Sequence, residues 1–195
     1  RSAFEAASYE VQTTRLATIP FPHLLGERKI HETPLLAEKL AHSIQQAGIA
    51  YAALGPAVPE IPQSYDVIPD AIAASEGIFF SGIMADNRNR ISLKAIPACA
   101  KVMVRCSGIL PDGFANLRFA ALANVAAGTP FFPASYHEGS NPAFAIATEA
   151  ADLAVQAFSS AKSVAAGQQA LVDALEEHAR HLVPVADLLK YKYGV

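Results

Sequence analysis

The segment from Gly128 to Gly139, GTPFFPASYHEG, concentrates groups that can do chemistry. An imidazole titrates near neutral pH and can serve as base, acid or metal ligand. The carboxylate of Glu138, next to His137, adds a second acid–base group or an orienting partner. Prolines and aromatics on either side supply the rigid supports on which such a pair is preorganised. His137 and Glu138 are therefore candidate catalytic residues. The plainer alternative is that Phe131, Phe132 and Tyr136 pin the segment to a core while His137 caps a backbone carbonyl. A loop of about twelve residues with no secondary structure is long for a compact domain, and long loops are often functional.

A second candidate is Val104-Arg105-Cys106-Ser107-Gly108. Read as the carboxyl end of a strand, it lies where open α/β sheets bind ligands. Cys106 is then a candidate nucleophile, provided a neighbouring cation lowers its pKa, and Arg105 a candidate ligand-binding residue that grips a carboxylate or phosphate with two nitrogens. Free cysteine is also among the most buried residue types, which gives Cys106 an ordinary role as a small apolar group; Cys99 fits that role better. The third candidate, Asp86 to Arg90, follows Ser81-Gly82 and could hold an anion through Arg88 and Arg90, or form a solvated loop. His178 and His181 sit near Glu176 and Glu177 on a helix and read as a solvated face, so no metal site is expected. No GxGxxG, P-loop or GxSxG motif is present.

The elements that must position these residues alternate between apolar runs and alanine-rich helical runs. Strands are expected at Val11–Thr18, Ile49–Leu54, Ile78–Ile83, Val102–Ile109 and Pro142–Thr148. Helices are expected from Thr33, as N-cap with Pro34 behind it, to a glycine cap at Gly48, and at Tyr65–Glu76, Ile91–Lys101, Phe114–Ala126, Glu149–Phe158 and Ser163–Lys190. Pro97 must lie near the start of its helix or kink it. Gly55–Pro62 reads as a connector and Pro111–Gly113 as a turn. The series predicts an α/β fold of mostly parallel βα units with a long C-terminal helical segment. It also puts the His137 loop between a helix and a strand, away from the usual ligand edge.

Composition narrows the function classes. The 195 residues are 52% hydrophobic and 17% charged, with a formal net charge of −3. Mean hydropathy is +0.23. This excludes a disordered chain, and two cysteines do not make a disulfide scaffold. The charge balance argues against a nucleic-acid partner. No apolar run reaches the roughly 18 residues of a membrane span, and no signal peptide opens the chain; with two unpaired-looking cysteines, this points to the cytoplasm. The first residues read as the body of a helix, so the chain is expected to be a single α/β domain that is a fragment of a longer one.

The segments VQTTRLATIPFP, LRFAALANV, GTPFFPASYHEG and PAFAIATEAADLAVQAF resemble the domain-of-unknown-function family 711. The resemblance runs over nearly the whole chain and is most specific at FFPASYHEG. It implies an α/β barrel similar to pyruvate formate-lyase, without a glycyl radical, of which this chain is the N-terminal half lacking its first strand. It supplies neither a reaction nor the identity of a cofactor. Residue by residue it carries over the aromatic-proline loop, with Tyr136, His137 and Gly139, and Asn124 before it; Asn124, Tyr136 and Gly139 join Arg105 as ligand-binding candidates.

Two functions from different classes follow. One is an enzyme acting on a small metabolite at a site lined by His137, Glu138, Arg105 and Cys106. The other is a non-catalytic binding or assembly subunit that kept the fold. The first predicts His137 in a cleft, within hydrogen-bond reach of a polar partner, with Asn124 and Glu138 nearby. A half-barrel has open strand edges, here Val11–Thr18 and Pro142–Thr148, so a missing segment, a second polypeptide or a copy of the chain is expected against it.

Overall fold

A computed structural model describes residues 1–87 and 90–195. In chain order the elements are α1 (Ser2–Ala6), β1 (Arg15–Ala17), α2 (Phe21–Leu25), a 3-10 turn (Glu27–Glu32), α3 (Thr33–Gln46), β2 (Tyr51–Ala57), α4 (Gln63–Asp66), α5 (Ile68–Ala73), β3 (Ile78–Asp86), β4 (Arg90–Ile91), α6 (Ala95–Ser107), a second 3-10 turn (Phe114–Arg118), β5 (Phe119–Ala123), α7 (Ala151–Ser159) and α8 (Val164–Tyr193). They divide into two compact units. Thr13–Ser140 carries the sheet, and Arg1–Gln12 with Asn141–Val195 forms a helical unit.

In the sheet unit, β1, β2, β3 and β5 lie side by side and parallel, and the short β4 pairs antiparallel with the end of β3. The sheet is open: among the described residues β1 pairs with β2 alone and β5 with β3 alone. Residues alternate between the two faces of a strand. Phe80 points to the helices, edge-on to Phe21 with ring centroids 5.7 Å apart. Gly82 points the same way, under Tyr65 and Cys99. Tyr65, Ile68, Ile72 and Leu54 complete this core. The register of β2 against β3 shifts between Ala53 and Pro56. Gly55 sits in this bulge at φ +71°, where a Cβ would lie 2.8 Å from Ile19 O. Only glycine fits a left-handed residue pressed against another backbone.

Helix α3 matches its expected span and ends as expected. Gly48 has φ +67°, its N–H donates to Gln45 O at 3.2 Å, and the Ile49 N–H donates to Ile44 O at 2.9 Å, the paired bonds of a Schellman motif. Its start differs: Glu32 is the cap residue, and the Thr33 hydroxyl donates backwards to Ile30 O.

Several other expectations are corrected. Val102–Ile109 is not a strand; it continues α6 through Ser107. Ala95, Cys99, Val102 and Cys106 recur at helical spacing and are all buried, whereas Val104 is 74% exposed, so the helical period outweighs the β-branched composition. Pro97 falls in the first turn of α6, where a missing N–H costs nothing. Phe114–Ala126 is not a helix. Gly113, at φ +70°, leads into a 3-10 turn and the alanine-rich run pairs with β3, from Phe80↔Phe119 to Ala85↔Ala123. Ladder formation with a buried neighbour overrides intrinsic preference. Pro142–Thr148 has no regular structure and lies outside the sheet unit; Pro142 has no N–H to give a ladder. Gly55–Ala57 belongs to β2 rather than to a connector. The helix expected at Tyr65–Glu76 is split into α4 and α5 around Val67, because Pro69 opens a new first turn. Val11–Thr18 contributes only Arg15–Ala17 to the sheet.

In the helical unit, α8 starts at Ser163, whose hydroxyl accepts from the Ala166 N–H at 3.2 Å, and it contains Pro184. Gly167 packs under Phe158 of α7. No described helix is long and apolar enough to cross a membrane.

Candidate functional site

The loop that follows β5 builds the site. Because β5 is a strand, the His137 loop leaves a strand's carboxyl end, where open parallel sheets place ligands, and the expected position between helix and strand is corrected. Asn124 makes the turn out of β5 at φ +55°, with its N–H on Ala85 O at 2.9 Å. Asparagine is among the few non-glycine residues that adopt this conformation readily. The chain then folds back over the sheet face opposite the helices. Phe132 meets Phe79 edge-on at 5.5 Å. Ala134 is buried with Val58, Ile83 and Leu122, and Tyr136 packs against this second core.

Three hydrogen bonds fix the path. The Gly128 N–H donates to Tyr136 O at 2.8 Å. The Tyr136 hydroxyl donates to Val125 O at 2.9 Å. The His137 N–H donates to Thr18 O, just past β1, at 2.9 Å. Asn124, Tyr136, His137, Glu138 and Gly139 thus share one loop at the carboxyl edge, with Gly139 at φ +94°. His137 is half-buried and Glu138 exposed. The bond of His137 to Thr18 uses its backbone N–H; its imidazole holds no hydrogen bond among the described residues, so the polar partner expected for the ring is not found there. A neutral imidazole carries one donor and one acceptor nitrogen, the pair that proton transfer uses.

Arg105 and Cys106 are not part of this arrangement. They occupy the last turn of α6, on the helix side of the sheet. Arg105 donates to Asp66 O at 2.6 Å and pairs with Asp70 at 2.8 Å. Cys106 is fully buried in the main core. Burial raises its thiol pKa, against the opposing pull of Arg105 and Arg118. Cys99 is buried too, its thiol pushed up to about 11 by burial. Of the third candidate, Asp86 ends β3 and Arg90 begins β4; Arg88 and Asn89 lie outside the described residues.

Two features escaped the sequence reading. Ser81, in the middle of β3 on the loop-covered face, is fully buried and its hydroxyl has no hydrogen-bond partner among the described residues. Arg15 sits over two aromatic rings; its sequence signal was a lone charge in the strand-like run Val11–Thr18. Among the described residues no group of three or more His, Cys, Asp or Glu side chains could hold a metal ion.

A family model described as an uncharacterised ACR, DUF711, matches residues 1–194. The chain belongs to the DUF711 family. No curated protein matches it. The loop just described is thus part of a DUF711 chain, and the match spans both of its compact units.

Proposed function

We propose that this DUF711 chain is an enzyme acting on a small metabolite at the carboxyl edge of its sheet, with His137 as the acid–base group. Glu138 sets the local charge, while Asn124, Tyr136 and Gly139 shape the loop around the ligand. The observation that carries the reading is the fixed backbone of the half-buried His137 beside an imidazole with no hydrogen bond among the described residues, since an unspent acid–base group on a rigid mount is what catalysis requires. The finer fold reading goes with it: the four parallel strands, each beside its neighbour in chain order, form part of a larger α/β barrel of the pyruvate-formate-lyase kind, running without a glycyl radical.

The test is a metabolite panel screened by thermal shift on the wild-type chain and on His137→Ala. A ligand that raises the wild-type midpoint should lose its effect on the variant, while the ligand-free midpoints differ by no more than a few degrees, as for a surface change. Equal shifts in both proteins would remove His137 from the site. A second reading, a binding or assembly subunit without chemistry, draws on the burial of Cys106 and on the commitment of Arg105 to Asp66 and Asp70. It predicts ligand binding with no turnover.

A further inference from the structure

The geometry points to an oxyanion-binding site at Arg15, separate from the His137 group and taking a carboxylate or a phosphoryl group of a small ligand. Arg15 opens β1, opposite Tyr51 in the ladder. Its guanidinium lies over the Phe132 ring at 5.4 Å and over the Tyr51 ring at 5.9 Å. Both distances are within cation–π range. The two rings are themselves set by Phe79, which each meets edge-on, Tyr51 at 80° and Phe132 at 76° with centroids 5.5 Å apart in both pairs. The Arg15 Nε–H donates to the Thr13 hydroxyl at 2.9 Å. The guanidinium is therefore held at Nε and by its flat face, and the residue remains exposed.

The edge bearing the two terminal nitrogens is left unspent. Among the described residues neither nitrogen has a hydrogen bond or a carboxylate partner. Elsewhere in the chain Arg105 and Arg180 are paired with Asp70 and Glu177, and Arg118 is spent on two carbonyls. A guanidinium fork presents parallel N–H groups that match a carboxylate or phosphate. Holding the fork in place beforehand lowers the ordering cost of binding. Lysine cannot take this role, because a single ammonium neither stacks flat on the rings nor grips with two nitrogens.

The test is calorimetric titration of the full chain at low ionic strength with inorganic phosphate and, separately, with malonate. Saturable binding of either probe is expected, and the one bound more tightly identifies a phosphoryl or a carboxylate ligand. Arg15→Lys, which keeps the charge, should weaken that binding by about tenfold, the worth of one charge-assisted hydrogen bond. Phe132→Leu, which keeps an apolar cover on Phe79, should weaken it by a smaller factor. His137→Ala should leave it unchanged, so this proposal and the catalytic one fail separately. Binding that is equal in wild type and both Arg15 and Phe132 variants, or no saturable binding of either probe, would overturn the assignment.

Discussion

Gly82→Ala tests the packing that fixes β3 beneath the site. An ideal Cβ there would lie 2.9 Å from Cys99 Sγ, 2.9 Å from Tyr65 Cε1 and 3.2 Å from Tyr65 Cδ1. Non-bonded carbons settle at about 3.5–4.0 Å, so the new methyl overlaps both neighbours. Tyr65 cannot withdraw cheaply, because its hydroxyl donates to Ile83 O at 2.6 Å. The strand cannot retreat either, since β2 and β5 hold it on both sides. Overpacking of this kind costs about 1–3 kcal/mol, and the stiffer unfolded chain returns about 0.4–1 kcal/mol. The midpoints of the two ranges leave a net loss of about 1.3 kcal/mol, a fall in Tm of about 3–5 °C for a chain of this size. Circular dichroism melts give the measurement. Adding Cys99→Ala to the same chain removes one of the two clashes and should recover part of the loss as a coupling of at least about 0.5 kcal/mol. A Gly82→Ala chain that melts at or above the wild-type temperature would refute the close packing of Tyr65 and Cys99 on Gly82.

Arg118 donates to the carbonyls of Ile72 and Ser75 at the end of α5; Arg118→Ala should cost about 2–4 kcal/mol in urea unfolding, and Arg118→Lys should restore under half, because one ammonium cannot span both acceptors. Cys99 and Cys106 are 1% and 0% exposed, so neither should react with a disulfide reagent at pH 8 until guanidinium is added; rapid native labelling of Cys106 would overturn its place in the core. The Cys99 thiol, normally ionising near 9, is held up to about 11 by burial. The unfolded chain then sheds this proton first as pH rises, so stability is intact below pH 9 and falls towards pH 11. The Tyr65 hydroxyl, also raised chiefly by burial, acts in the same direction; denaturant midpoints that climb over this window would contradict both burials.

The parts legible in the sequence were those written in strong local chemistry. Pro34 and Gly48 bracketed α3 because a first-turn proline and a left-handed glycine each mark a helix end by themselves, although Thr33 lies inside the helix and does not cap it. IAYAAL and IFFSGI marked β2 and β3 because a strand covered on both faces is apolar without alternation. Val102–Ile109 and Phe114–Ala126 misled for one shared reason. Valines in α6 and alanines in β5 contradict their local preferences, and the burial of Cys99, Cys106, Phe119 and Leu122 decides the outcome. That exchange moved Cys106 from a proposed edge into the core, and it moved the His137 loop onto a strand's carboxyl end. The loop itself was legible from its prolines, aromatics and His-Glu pair. The Arg15 cluster was not, because it gathers positions 13, 15, 51, 79 and 132, and only the sheet register and the returning loop bring them together.

The way the His137 loop is tied has a consequence for how its chemistry can change. Two of its fastenings, Gly128 to Tyr136 and His137 to Thr18, run from backbone to backbone, and the third uses the Tyr136 hydroxyl. None depends on the side chains at 131 or 137. Those positions are interchangeable heads on a common mount: selection, or a designer, can exchange the imidazole for an amide, a thiol or a carboxylate without redrawing the path of the chain. Shape and reactivity are thereby inherited separately, so two chains with the same loop trace can differ in what the loop does.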